Sequence, residues 1–168
     1  MATSTEVKAL SFLTLLETHQ QLDELFLCHQ ESLLTFDLDK AARQLEAYER
    51  ELHRHMEQEE DWLLPVFERA KPIAGGAVEL FTGEHKKMRE FVARFKETLT
   101  QLKGRPAELK RRVIELFDQQ ALFKHLVEHH DSREETILYP TLDRVTSEQE
   151  RGKLLTRCTS PRASIDRS

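Results

Sequence analysis

Four stretches of this chain carry inward-type residues at alternating spacings of four and three, the repeat of a helix with one buried face. The first reads Leu15, His19, Leu22, Phe26, His29, Leu33. The second reads Ala41, Leu45, Tyr48, Leu52, His55, Glu59, Trp62, Val66. Phe81, His85, Met88, Val92, Phe95, Leu99 and Leu102 make the third, and Leu116, Gln120, Phe123, Val127, His130, Glu134, Ile137 and Thr141 the fourth. The polar residues that interrupt these stripes are mostly histidine and glutamate. Burying them is costly unless something inside satisfies them.

The breaks between stripes set the topology. Asp37-Leu38-Asp39 offers a turn and a helix N-cap. Pro72 through Gly75-Gly76 is the longest interruption, and Gly104-Arg105-Pro106 ends the third helix and opens the fourth, with proline near the first helical position. Short links between long helices imply antiparallel neighbours. The expected fold is therefore all-α, an antiparallel up-down-up-down four-helix bundle spanning 1–145. Residues 146–168 are expected to add a short helix, opened by a Ser147–Glu150 capping box, and a loose polar tail from about Thr156. A length of 168 residues suits one domain with a single core, and 33% charged residues with only five glycines suit long amphipathic helices.

Bulk properties narrow the partners. A net charge of −5 without a Lys/Arg-rich block gives no reason to expect nucleic acid. No apolar run approaches the ~20 residues that would cross a membrane. The start, Met-Ala-Thr-Ser-Thr-Glu, lacks the basic and apolar regions of a signal peptide, and the two cysteines, Cys28 and Cys158, lie far apart. These features point to the cytoplasm. Cys28 is expected to be a small buried hydrophobe and Cys158 an incidental residue of the tail. No nucleophile–base arrangement, phosphate-binding glycine loop or zinc-type cysteine pair argues for hydrolase, kinase or transferase chemistry.

One pattern occurs twice. His55-x3-Glu59-Glu60-x2-Leu63-x-Pro65 returns as His130-x3-Glu134-Glu135-x2-Leu138-x-Pro140. Residues four apart on a helix share a face, so each copy offers an imidazole and a carboxylate to one point. Two copies face to face would make a pocket of nitrogen and oxygen donors suited to a pair of divalent ions. Glu60 and Glu135 point about 100° away and are expected to be exposed or to support the ligands from outside.

Level and facing choose among the other histidines. Taking the first turn near Leu38, His19 lies about 19 residues before it and His55 about 17 after, level to within ~3 Å. His29 sits ~15 Å further along the same stripe, too far for one compact pair, and is expected to be hydrogen-bonded near the bundle end. His125 fits the level of His85 better than His130 does, but its row reads Asp118, Ala121, Glu128, Ser132, a polar face. His130 lies on the apolar face and is preferred, with His129 next. His53, in a row with Glu46, Arg50 and Glu57, is expected in solvent. The candidate metal ligands are His19, His55, Glu59, His85, His130 and Glu134. Their order and spacing differ from the Glu-x-x-His motifs of ferritin-type bundles, and histidines outnumber carboxylates.

From about Leu10 to Leu142 the chain resembles the hemerythrin-like (HHE cation-binding) family, on the two His-x3-Glu-Glu…Pro motifs and His85 in Gly83-Glu84-His85-Lys86-Lys87-Met88. The resemblance implies an antiparallel four-helix bundle enclosing a non-haem di-iron centre with an oxo or hydroxo bridge. Glu59 and Glu134 would bridge the irons, and the four histidines would be terminal ligands. Oxygen-carrying members use a fifth histidine one turn after the third-helix ligand, where this chain has Arg89. Of about twelve positions on two six-coordinate ions, two carboxylate bridges, an oxygen bridge and four histidines leave about two for water or another ligand. His129 or an acidic neighbour is the candidate for a fifth protein ligand. The expected function is sensing or handling of O2, NO, peroxide or iron. The alternatives are a di-iron enzyme of the iron–sulfur repair or oxidase/peroxidase type, and a metal-free helical interaction module. Mixed imidazole and carboxylate sites also accept manganese, zinc and other divalent ions, so iron rests on the resemblance. The sequence carries no signal for oligomeric state.

Overall fold

Each stripe becomes a helix. The computed structural model describes residues 10–104 and 107–159. A 3-10 turn, Phe12–Leu15, leads into α1 (Leu16–Leu34), followed by α2 (Leu38–Gln58). A wide π-helical turn, Glu59–Leu63, joins α2 to the short α3 (Leu64–Phe67). Then come α4 (Val78–Gly104) and α5 (Leu109–Arg133). A second π turn, Glu134–Leu138, leads into α6 (Tyr139–Val145), and α7 (Glu148–Thr159) closes the described chain. The fold is all-helical among the described residues, with α1 against α2, α2 against α4, α4 against α5 and α5 against α1. Among the described residues, no helix is long and apolar enough to cross a membrane.

Local chemistry sets the boundaries. Asp37 caps α2 by accepting from Lys40 N at 3.0 Å. The end of α1 is a Schellman motif, Asp37 N to Ser32 O at 3.0 Å and Phe36 N to Leu33 O at 3.1 Å. It places Phe36 at φ 57, a conformation glycine usually takes. Ser147 caps α7 through Glu150 N at 3.2 Å, but Glu150 spends its carboxylate on Arg69 at 2.6 Å, so only half of the expected box forms. Arg105 and Pro106, expected to open the fourth helix, lie outside the described residues; α5 is described from Leu109.

The π turns explain where the simple periodicity misses. Pro65 and Pro140 follow Glu59 and Glu134 by six residues and cannot donate to the helical ladder. The helix widens just before each one, with Leu64 N bonding to Glu59 O and Tyr139 N to Glu134 O, five residues back. The extra residue advances the inward face, so Leu63 and Leu138 are fully buried whereas Trp62 and Ile137, the expected core residues, are only partly covered.

Two apolar clusters fill the interior. One holds Leu22, Phe26, Leu52, Met88 and Phe123; the other holds Phe12, Leu15, Leu63, Phe81 and Leu138. On every long helix, the candidate metal residues fall between members of one cluster and members of the other. Helix α7 runs through Thr156, expected to begin the tail, and buries Leu154, Leu155 and Cys158 in the second cluster. Cys158 is thus a core residue, while Cys28 is only partly buried and sits 3.7 Å from a Glu24 carboxylate oxygen. Arg151 and Ser11 both bond Asp143, and Arg151 also reaches Leu10 O at 2.7 Å, stitching the first turn to α6 and α7.

Candidate metal centre

All six sequence-selected residues meet in the band between the clusters. His19 comes from α1, His55 from α2, His85 from α4 and His130 from α5; Glu59 and Glu134 each open a π turn. None of the six is more than 6% exposed. His19 and His55 face each other Nε2 to Nε2 at 3.0 Å, and His85 and His130 at 3.2 Å.

The carboxylates join the two pairs. Glu59 Oε1 is 3.5 Å from His55 Nε2 while its Oε2 is 3.4 Å from His85 Nε2. Glu134 Oε2 is 3.0 Å from His19 Nε2 and its Oε1 is 2.6 Å from His130 Nε2. Each carboxylate therefore gives one oxygen to each pair. Two four-residue groups result, His19–His55–Glu59–Glu134 and Glu59–His85–His130–Glu134, whose donor atoms lie within 4.8 Å of one another.

The donor set fits metal ions. Neighbouring donors on an octahedral ion with bonds of ~2.1 Å lie ~3.0 Å apart, close to both N···N separations. Glu59 Oε2 and Glu134 Oε1 are buried, facing the imidazole Nε2 atoms of His85 at 3.4 Å and His130 at 2.6 Å. His85 donates Nδ1–H to Glu60 at 2.8 Å and His130 donates Nδ1–H to Glu84 at 2.9 Å. Those bonds leave both Nε2 atoms as natural lone-pair donors aimed at one space, where only a cation or a proton reconciles them.

In the metal-free protein, protons do that work. Burial alone would lower His19, but the hydrogen bond and charge of Glu134 raise it to about 9. His85 reaches about 9 for the same reason, burial being outweighed by Glu134 and Glu59. His130 also rises well above its usual value, against burial, through Glu134 and Glu84. His55 goes the other way, because burial outweighs the two carboxylates. Burial pushes Glu134 up, but His130, His19 and His85 together hold it well below the usual carboxylate range.

Several partners lay outside the sequence expectation. Tyr139 is fully buried, and its hydroxyl lies 2.8 Å from Glu59 Oε1, 3.1 Å from Glu134 Oε2 and 3.2 Å from His19 Nε2. Burial, then the two carboxylates, push its phenol well above the usual value. Its cue was its place just before Pro140, where the widened turn swings it inward. Glu84 and Arg133 were missed because neither lies on an apolar stripe. Asp131, 3.7 Å from His19 Nδ1, is raised to about 6, by burial against the pull of His19.

The remaining histidines separate cleanly. His29 is fully buried, bonded to Ala41 O at 2.8 Å and to Gln120 Nε2 at 2.9 Å, as expected for a structural residue. His125 is exposed. His129 is also exposed and pairs with Arg133 at 3.0 Å, so it is no fifth ligand. His53, expected in solvent, is half-buried with its Nε2 covered. Arg89 approaches Glu60 at 3.2 Å, so Glu60 supports His85 from outside while Glu135 is exposed.

Comparison with known families is consistent with this geometry. The family model for the hemerythrin HHE cation binding domain matches residues 12–142. The chain belongs to the hemerythrin HHE cation-binding family. No curated protein and no solved structure matches it. The matched span runs from the first turn through α6 and holds every residue of the two donor groups.

Proposed function

We propose that this HHE protein holds two iron ions, His19, His55, His85 and His130 as terminal ligands and Glu59 and Glu134 as bridges, within an antiparallel up-down-up-down four-helix bundle over 1–145. The single observation that carries the reading is the division of each carboxylate between the two histidine pairs. A lone ion has no use for that division, and a metal-free interaction module has no need to aim six buried donors at one space.

The iron pair, when bound, supplies reversible redox chemistry and coordination positions for a small molecule such as O2, NO or peroxide. The chain's own residues set the conditions. Glu60 and Glu84 fix the Nδ1–H tautomers of His85 and His130, directing Nε2 inward. The apolar clusters on either side keep bulk water away. Tyr139 can donate its one proton to only one carboxylate at a time, 2.8 Å from Glu59 and 3.1 Å from Glu134, and so sets a firmly protonated hydrogen-bond donor beside the ligand atoms. Arg89 in place of a fifth histidine leaves about two coordination positions for exogenous ligands, which suits sensing or handling better than carriage. The protein works in the cytoplasm on this reading.

Purified protein from iron-replete cells should carry two irons per chain and absorb in the near ultraviolet. Its spectrum should respond to O2, NO or peroxide added in turn. Iron far below two per chain, with no gain on reconstitution, would refute the proposal.

A further inference from the structure

The four imidazoles are not held alike. Behind His85 stands Glu60, itself gripped by Arg89 at 3.2 Å; behind His130 stands Glu84, gripped by Arg133 at 3.1 Å. Both Arg–Glu–His chains end on the same pair of Nε2 atoms. Arg133 also reaches Gly75 O at 2.6 Å, which fastens the loop before α4 to α5.

In the other pair, His19 lacks such support. His19 Nδ1 is buried without a hydrogen-bond partner, and the Asp131 carboxylate stands off at 3.7 Å. A neutral phenol, Tyr139, instead contacts the inward atoms of this half: His19 Nε2, Glu59 Oε1 and Glu134 Oε2. Exposure differs as well. His85 is fully buried. A narrow void of about 10 Å³ touches His19, His55 and His130 and shares Asp23, Tyr48, Val127 and Asp131 with a cleft of about 460 Å³ between α1 and α5.

Outer carboxylates orient a ligand ring, fix its tautomer and raise its basicity; their loss costs ~10–100-fold in metal affinity. A ring already pinned also has less freedom to lose on binding. In the His19–His55 half, one ring is unpinned at Nδ1, and the Tyr139 hydroxyl must turn away from whatever occupies its place.

We infer that the two metal positions are inequivalent. The His85–His130 position captures the first ion and retains it; the His19–His55 position binds the second more weakly and exchanges it through the α1–α5 cleft. Glu60, Arg89, Glu84 and Arg133 are positioning residues for the retained ion. The inference rests on the di-metal reading above.

The test is a titration of the metal-free full chain with Mn(II), followed by electron paramagnetic resonance. The first equivalent should give the six-line signal of an isolated ion, and the second should convert it into the spectrum of a spin-coupled pair. His55→Ala should keep the tight first step, whereas His85→Ala should abolish it. Glu60→Gln combined with Glu84→Gln should weaken the first step ~10–100-fold. The second step should move far less. A coupled spectrum from the first addition would overturn the inference while leaving the di-metal reading intact. So would equal weakening of both steps, or loss of the tight step in His55→Ala rather than His85→Ala. Failure to take up manganese, iron or zinc at all would overturn both.

Discussion

The Tyr139 hydroxyl stands 2.8 Å from Glu59 Oε1, a contact spanning 80 residues of sequence. It ties the π turn after α2 to the helix that follows the π turn after α5. Both groups are essentially without solvent, so the bond is made between a phenol and a buried carboxyl oxygen.

Replacing Tyr139 with Phe therefore removes a donor from two carboxylates. Hydrogen bonds to charged groups contribute ~1.5–3 kcal/mol. Chemical denaturation of the metal-free variant should show a loss of that size. Metal-loaded protein should lose less, because the cation satisfies the same oxygens. Equal losses in both states would place the role of Tyr139 in packing alone.

Histidine substitutions should sort by facing. His55→Ala and His130→Ala should each lower the metal content per chain, while His125→Ala and His53→Ala should leave it unchanged. The instructive case is His53, which is half-buried yet points into a different row of α2 from His55. Metal analysis after reconstitution and desalting reads the outcome directly, and a loss with His53→Ala would contradict the facing argument.

The metal-free and metal-loaded proteins should respond to pH in opposite directions. His19 and His85 are raised from 6.5 to about 9, and His130 is raised well above 6.5. Groups raised on folding contribute stability that is fully present below pH 6.5 and lost as pH climbs through about 9. His55, lowered by burial, acts on the acid side, where stability is lost as pH falls below 6.5. The chelated protein should melt progressively lower between pH 6.5 and 9. Metal loading must displace those same protons, so affinity should strengthen over this window. A chelated protein whose melting temperature is flat from pH 6.5 to 9 would refute the protonated cluster.

Away from the metal band, Gln120→Ala should strand the Nε2 of fully buried His29, which Gln120 contacts at 2.9 Å. Leaving such a group unpaired costs ~1–3 kcal/mol. Metal stoichiometry should stay the same, since His29 belongs to the apolar end that holds Phe26. Urea denaturation with parallel metal analysis separates the two effects.

Much of this was legible in the sequence because facing is a local property. Spacings of three and four put His19, His55, Glu59, His85, His130 and Glu134 on inward stripes without knowledge of any neighbour. The duplicated motif announced that two stripes share a task. What escaped depends on departures from the ideal helix or on partners distant in sequence. Tyr139 turns inward because a proline forces a wider turn, and a fixed period cannot see that. Glu84 and Arg133 act from the flanks, where sequence alone does not distinguish a supporting charge from a solvated one. Cys158 was assigned to a polar tail because its helix buries only a few residues against a cluster assembled from elsewhere.

Asp143 lies one helical turn beyond Tyr139 and receives Ser11, the Phe12 amide and Arg151. The opening and closing turns of the described fold thus share an anchorage on the short segment that carries the phenol. Strain entering through Ser11 or through Arg151 would therefore arrive at one carboxylate, a single helical turn from Tyr139, although these two residues stand 140 positions apart in sequence.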